Sequence, residues 1–376
     1  MILVQLIAPR NSARSIVKKL RVLALTYYDR LGASSRLRFF QYIAYLKSHG
    51  IDVDISYFLS SDYVEGRQRG RVISGEAWRA FLRRFSALNR IGSYDLLWIE
   101  KECFPWLPAF LETSFLGRDP PFVLDYDDAV FHKYDQHRNG VVRKLLKDKH
   151  PILMRRSALV VAGNSYVEEF ARSSGARHVV TLPTAIDLGR YVYVGKFSAP
   201  QRQVRIGWIG QSSTAKFLKP LTGLFLKLEQ EEGVRFKAIG VDPKVHELPM
   251  EGVGWSEETE VRAIKDLDIG IMPLTDGPFE RGKCGYKLIQ YMGSGLPVVA
   301  SPVGVNKDIV EHGVTGFLAE TEVEWFNALR TLINDAALRE RMGRAGRLKV
   351  ERRFSTNVTA PRLAELLKQA ATGHKP

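Results

Sequence analysis

The sequence predicts an α/β protein of two Rossmann-like lobes, each a doubly wound parallel sheet, facing one another across a central cleft. Three observations predict it. Short apolar runs such as DIGIMPL at 268–274 and PVVAS at 297–301 are bounded by turn residues, the pattern of parallel strands covered on both faces. Amphipathic helical stretches separate such runs, and the intervening turns carry glycine with serine, arginine or lysine, as at 210–216 and 281–285. At 376 residues the chain exceeds what one hydrophobic core comfortably organises.

Residues 1–20 form a basic extension with Arg10, Arg14, Lys18 and Lys19. Residues 1–9 are too short and too poorly flanked to read as a signal peptide, and no run of 18 apolar residues appears, so no membrane span is expected. The first lobe is expected over 21–188. Its first strand, 21–27, leads through a small-residue turn at 28–36, which carries Gly32 and Arg36, into a helix at 37–47. Further on, Trp78, Phe81, Leu82, Phe85 and Leu88 recur at helical spacing, surrounded by Arg67, Arg69, Arg71, Arg79, Arg83, Arg84 and Arg90. The strand at 122–124 runs into Asp125, Asp127 and Asp128, and strand ends are where an open parallel sheet places its chemistry. Strands within 158–166 and 179–187 complete the lobe.

A linker is expected at 189–203, a second lobe at 204–355, and a last helix within 356–376 that packs back on the first lobe. In the second lobe a strand ends at Gly210, a turn with the capping residue Ser212 follows, and Lys216 lies in the next helix. The segment 268–318 repeats the design: strand, a turn with Glu280, Arg281, Gly282, Lys283 and Gly285, a helix at 286–292 carrying Gln290, then strand. Free N–H groups and the helix dipole at such a turn favour an anion, and the added cations suit a diphosphate.

A formal net charge of +14 exceeds what two phosphates require, so a further anionic partner is expected. The excess lies in the first lobe, in the arginines around Trp78–Leu88 and in Lys144, Lys147, Lys149, Arg155 and Arg156. Two readings stay open for that helix: contact with an anionic membrane surface, or an apolar stripe in the core with a solvated basic face. No nucleic acid partner is expected, because no binding motif and no aromatic platform interleaves with the basic residues. Cys103 and Cys284 form no ligand or disulfide pattern, and His132, His137 and His246 have no metal spacing; a cytoplasmic protein, peripheral on the inner face of the plasma membrane at most, is the expectation.

At 281–299 and 204–218 the chain resembles family 4 of the retaining glycosyltransferases, which have the GT-B fold. That family carries Glu-x7-Glu, the second Glu in a Leu-Glu-Ala-Met segment before Gly-x-Pro-Val-Val. Ile289-Gln290-Tyr291-Met292 and Gly295-Leu296-Pro297-Val298-Val299 occupy this frame, so Gln290 and Gly282 stand where the two carboxylates would be. The resemblance thus points to a subgroup lacking both, with Glu280 as the replacement for the first and the Gln290 amide still able to bond a ribose hydroxyl. Where the family has Gly-Arg-x4-Lys, this chain has Gly210, Gln211 and Lys216, and Arg281 or Lys283 supplies the missing charge. By the frame of a His-Asp pair in many relatives, Asp127 takes the His position and Asp128 the Asp position.

The resemblance implies a nucleotide-diphosphate sugar as donor, a lipid-linked or saccharide acceptor, retention of configuration, and neither metal nor other cofactor. Its candidate catalytic residues are Asp127, Asp128, Lys216 and Glu280; its donor-binding residues are Gly32, Arg36, Gly210, Ser212, Lys216, Arg281, Lys283 and Gln290. A nucleotide-sugar epimerase on the same fold, needing an acid–base pair but no acceptor site, is the alternative, followed by a nucleic-acid-binding protein suggested by charge alone.

Overall fold

The computed structural model describes residues 19–68, 74–117, 119–193 and 203–373. The basic extension ahead of Lys19, Arg69, Arg71, the side chain of Arg67 and most of the expected linker lie outside the described residues. Strands β1 (Leu20–Tyr28), β2 (Ile51–Leu59), β3 (Leu96–Glu100), β4 (Phe122–Tyr126), β5 (Leu159–Ala162) and β6 (Val179–Thr181) form one parallel sheet in the order β2-β1-β3-β4-β5-β6. A second parallel sheet contains β7 (Arg205–Ile209), β8 (Arg235–Ile239), β9 (Glu251–Val253), β10 (Ile269–Met272), β11 (Val298–Ala300) and β12 (Gly316–Leu318), ordered β12-β11-β10-β7-β8-β9. Strand order reverses between β1 and β3 in the first sheet and between β7 and β10 in the second. At such switch points the crossover helices leave on opposite faces, and a crevice opens at the strands' carboxyl ends.

The apolar runs form strands because helices cover both faces: Val22–Leu25 of β1 and Leu96–Ile99 of β3 are almost fully buried. The helix Thr356–Thr372 follows the second lobe in sequence yet buries Leu363, Leu366 and Leu367 in the cluster of Val22, Trp98 and Val123. Each such leucine contributes about 1.5–3 kcal/mol, which ties the chain's end to its beginning. Backbone bonds from Ile186 to Phe354 and from Thr356 to Ile186 mark the crossing.

The helix Glu76–Leu88 divides the expected apolar stripe between core and surface, with Phe81 packed against the core and Phe85 at the surface. Ala80, Ala87, Leu88 and Arg84 enter the lobe, while Trp78 is 68% exposed and Leu82 51%. The reason is the reach of Arg84. Its guanidinium donates from Nη2 to the Thr26 carbonyl at 2.6 Å and from Nη1 to the Ser56 carbonyl at 3.0 Å, while its Nε has no partner and burial pushes its pKa down to about 10. Arg84 therefore belongs to the core, and of the apolar stripe Trp78, Leu82 and Phe85 face solvent.

Candidate active site

The two lobes meet where the 281–285 turn rests on the carboxyl end of β4. The Gly282 carbonyl accepts from Ala129 N at 3.1 Å and from Asn164 Nδ2 at 2.9 Å, and Cys284 N donates to Asp128 Oδ1 at 2.9 Å. A Cβ on residue 282 would lie 2.1 Å from Ala129 Cβ. A glutamate at this position is incompatible with the contact, which gives the carboxylate's absence a steric cause.

The three acids at the carboxyl end of β4 have different partners. Asp125 is buried, accepting from Arg38 Nε at 2.7 Å and Trp98 Nε1 at 3.3 Å. Asp127 pairs with Lys101 Nζ at 2.9 Å; burial pushes its carboxyl up, but Lys101 and the Ser34 hydroxyl more than reverse this and hold it at about 2. Lys101, at φ 66° just past β3, also donates to Ser34 Oγ at 2.9 Å. Asp128 reaches the second lobe. Burial and the neighbouring Asp127 raise its pKa, against the pull of Lys283 and Lys101.

Opposite stands the end of β7. A Cβ on Gly210 would lie 2.5 Å from the Trp208 ring and 2.7 Å from Lys287 Nζ, so glycine here leaves the amine room. Lys287 is the second residue of the helix Tyr286–Gly293, which starts after Gly285 at φ 66°. Its Nζ lies 4.2 Å from the Trp208 ring centroid and, among the described residues, makes no ion pair or hydrogen bond. Burial, then the nearby Lys283, lower its pKa to about 7, with Asp128 and Cys284 acting the other way. The cleft thus holds a cation without a counter-ion at the β7/β10 switch point.

A second cluster crosses the cleft. Gln290, buried, donates from Nε2 to the Tyr191 hydroxyl at 2.9 Å; that hydroxyl donates to Glu260 Oε1 at 2.7 Å, and Trp255 Nε1 to Glu260 Oε2 at 2.8 Å. From the first lobe, Arg36 Nη2 comes within 3.9 Å of Glu260, with the guanidinium 5.2 Å above the Trp255 ring. Arg36 is 4% exposed, and its Nε and Nη1 have no partner. Gly32 caps the helix Ala33–Arg38 that carries it, and a Cβ there would lie 2.2 Å from that of Tyr28.

The structure therefore brings Asp128, Lys283 and Gly210 together around Lys287, and Arg36 and Gln290 together through Glu260. Lys283 Nζ rests 4.8 Å from the Phe279 ring centroid. Arg281 is exposed and held by both oxygens of Asp276, at 2.6 and 2.9 Å. The exposed Ser212 starts the short helix Ser212–Ala215, and the exposed Lys216 lies over Phe217. Among the described residues, no side-chain hydrogen bond or ion pair joins Lys216 or Glu280 to either cluster. Sequence reasoning missed Lys287, Lys101, Tyr191 and Glu260. For Lys287 a signal existed: it follows a glycine-bearing turn by two residues, on the first turn of the helix.

Comparison with known proteins gives three findings. Residues 203–335 match the family model described as glycosyl transferases group 1. The sulfoquinovosyl transferase SQD2 of Arabidopsis thaliana is 30% identical over 162 residues, which is 40% of this chain and 30% of that protein, so the match spans under a third of the relative's length. Among solved structures, sucrose-phosphate synthase from Thermosynechococcus elongatus superposes with a TM-score of 0.71 at 16% identity, covering 93% of this chain and 99% of that one. Anabaena HepE, solved with UDP and glucose, gives 0.64 at 16% identity, covering 93% and 100%. Two facing lobes with these sheets, matched over nearly the whole chain, give the protein the GT-B fold.

Proposed function

We propose that the protein is a retaining, metal-independent glycosyltransferase that moves a sugar from a nucleotide-diphosphate sugar to an acceptor hydroxyl in polysaccharide or glycolipid assembly. The observation that carries this is Lys287, a cation without a partner at the switch point, beside a helix start and facing Asp128. The donor's diphosphate is bound by Lys287, whose amine packs against the Gly210 turn, with Lys283 adjacent. As the glycosidic bond to the leaving phosphate breaks, negative charge grows on that phosphate, and Lys287 and the helix-start N–H groups stabilise it. Asp128, fixed by Cys284 N, faces this group from the acceptor lobe. Glu260, held by Tyr191 and Trp255, supplies a carboxylate near Gln290, where the family resemblance puts ribose recognition. Asp125 and Asp127 are engaged by Arg38 and Lys101, so the Asp-x-Asp spelling at 125–127 offers no free carboxylate pair, which supports a reaction without a metal. The match at 203–335 and the UDP and UDP-glucose held by HepE support a nucleotide-sugar donor, with uridine the first base to screen. The test is sugar transfer and release from UDP-sugars by Lys287→Ala: turnover should fall about 10²–10³-fold with the fold intact, and wild-type turnover would remove the assignment.

We further propose that the acceptor is presented at an anionic membrane surface. Among the described residues no helix is long and apolar enough to cross a membrane, but Trp78, Leu82, Phe85, Phe110 and Phe115 are exposed on the first lobe. Phe85 and Phe115 touch edge to face at 5.6 Å, which joins the helix Ala109–Phe115 to Glu76–Leu88 in one patch. Arg79, Arg90 and Arg156 are exposed on or beside these helices, with Arg156 bonded to the Thr113 carbonyl. Co-sedimentation with vesicles containing acidic lipid should fall in Trp78→Ser/Phe110→Ser and in the triple charge reversal Arg79→Glu/Arg90→Glu/Arg156→Glu. Unchanged binding by both variants would reject this surface.

A further inference from the structure

Beside the cleft, at the carboxyl end of the first sheet, a second lysine stands without a counter-ion. Lys133 lies on the helix His132–Asp135 just after Asp128, with Nζ 4.2 Å from the ring centroid of Trp106, 5.3 Å from Tyr134 and 6.0 Å from Tyr27. Among the described residues it makes no ion pair or hydrogen bond. The acids around it are engaged elsewhere. Glu102 holds Lys149 at 2.5 Å and accepts from the Tyr134 hydroxyl at 3.0 Å; Glu100 accepts from Tyr27 N at 2.7 Å and Ser35 Oγ at 2.6 Å; Asp135 binds His132 at 2.9 Å. Burial pushes the Lys133 amine down, Glu102 offsets part of this, and Lys149 and Lys101 add to it.

Trp106 gives the second observation. Its backbone sits at φ 67°, a conformation that costs a non-glycine residue about 1–3 kcal/mol, and its N–H donates to the Tyr134 hydroxyl at 2.9 Å. Despite that cost Trp106 is 48% exposed. An aromatic side chain held out toward solvent on a strained backbone, over an unpaired amine, is a platform for a ring-shaped ligand that carries negative charge.

We propose that Lys133, with Trp106 and Tyr27, forms an acceptor subsite for a saccharide bearing an anionic group, a carboxylate or a phosphate, whose ring stacks on Trp106. The proposal rests on the glycosyl-transfer reading, since it names the acceptor for that cleft. The probes are methyl β-glucuronide, glucose 1-phosphate and the neutral methyl β-glucoside, bound to the full chain and followed by ligand-observed NMR, with UDP binding measured in parallel.

Either anionic probe should bind at least about tenfold more tightly than the neutral one, and the tighter of the two identifies carboxylate or phosphate as the group. Lys133→Met should abolish the difference, Lys133→Arg should keep it, and Trp106→Gly, which relieves the backbone strain, should weaken all three probes. UDP binding should be unchanged in each variant. Equal binding of charged and neutral probes, or a preference that survives Lys133→Met, would overturn the subsite. Absence of UDP binding by the wild-type protein, with the anionic preference intact, would count against the donor reading and leave the subsite standing.

Discussion

Lys101 and Lys287 face the same cleft from opposite lobes and are held in opposite ways. Lys101 is enclosed by carboxylates: burial alone would lower its pKa, yet Asp127 and Glu100 drive it above the usual lysine range. Lys287 has an aromatic ring and a glycine turn beside it but no acid in contact, and it falls to about 7. A buried cation with its counter-ion built in organises the protein; one lacking a counter-ion is stabilised most by a ligand that brings the charge. At these two positions the first lobe is thus prearranged around its acids, and the second is left incomplete until an anion binds.

The largest effect should come from breaking the complete pair. Lys101→Met leaves Asp127 buried without its cation, and removing one partner of such a pair costs about 3–5 kcal/mol. Chemical denaturation should show that loss, whereas Lys287→Met should leave stability unchanged or raise it. An equal loss in both variants would erase the distinction between the lobes.

Next is the steric basis of the lobe contact. Gly282→Ala puts a Cβ 2.1 Å from that of Ala129 and should cost about 1–3 kcal/mol of overpacking, together with much of the transfer activity. Adding Ala129→Gly should restore part of both. Additive losses in the double mutant would place the strain elsewhere.

Much of the fold was legible because β10 and β11, covered on both faces, leave uninterrupted apolar runs. The edge strand β9 was not: with Glu251 and Gly252 exposed, it has no such signature. In the cleft, glycine and charge spacing pointed to Gly210, Lys283 and Asp128. Lys287 was obscured because a lysine on an amphipathic helix ordinarily marks the solvated face. Tyr191 and Glu260 lie 69 residues apart and meet only through folding. Which side of Glu76–Leu88 turns inward was likewise undetermined by periodicity, since the partner for Arg84 is a pair of carbonyls on β1 and β2.

A smaller effect separates the two lysines by pH. Lys287 titrates near 7 when folded and near roughly 10.4 when unfolded, so above about pH 7 the unfolded chain binds the extra proton and stability rises with pH across that window. Lys287→Met should remove this slope. Asp127 acts at the other end: its folded pKa of about 2 lies below the unfolded value near ~3.9, so its stabilisation is present above the latter and is lost as pH falls through 2. A slope that persists in Lys287→Met would assign it to another group.

The most direct measurement is calorimetric titration of UDP into the wild-type protein, Lys287→Met and Lys287→Arg at pH 6, where the wild-type amine is charged. The diphosphate should bind the wild type and the arginine variant with similar affinity and Lys287→Met at least about tenfold more weakly, as expected for one charge-assisted contact. Equal affinity in all three proteins would contradict the assignment of the unpaired lysine to the donor's diphosphate.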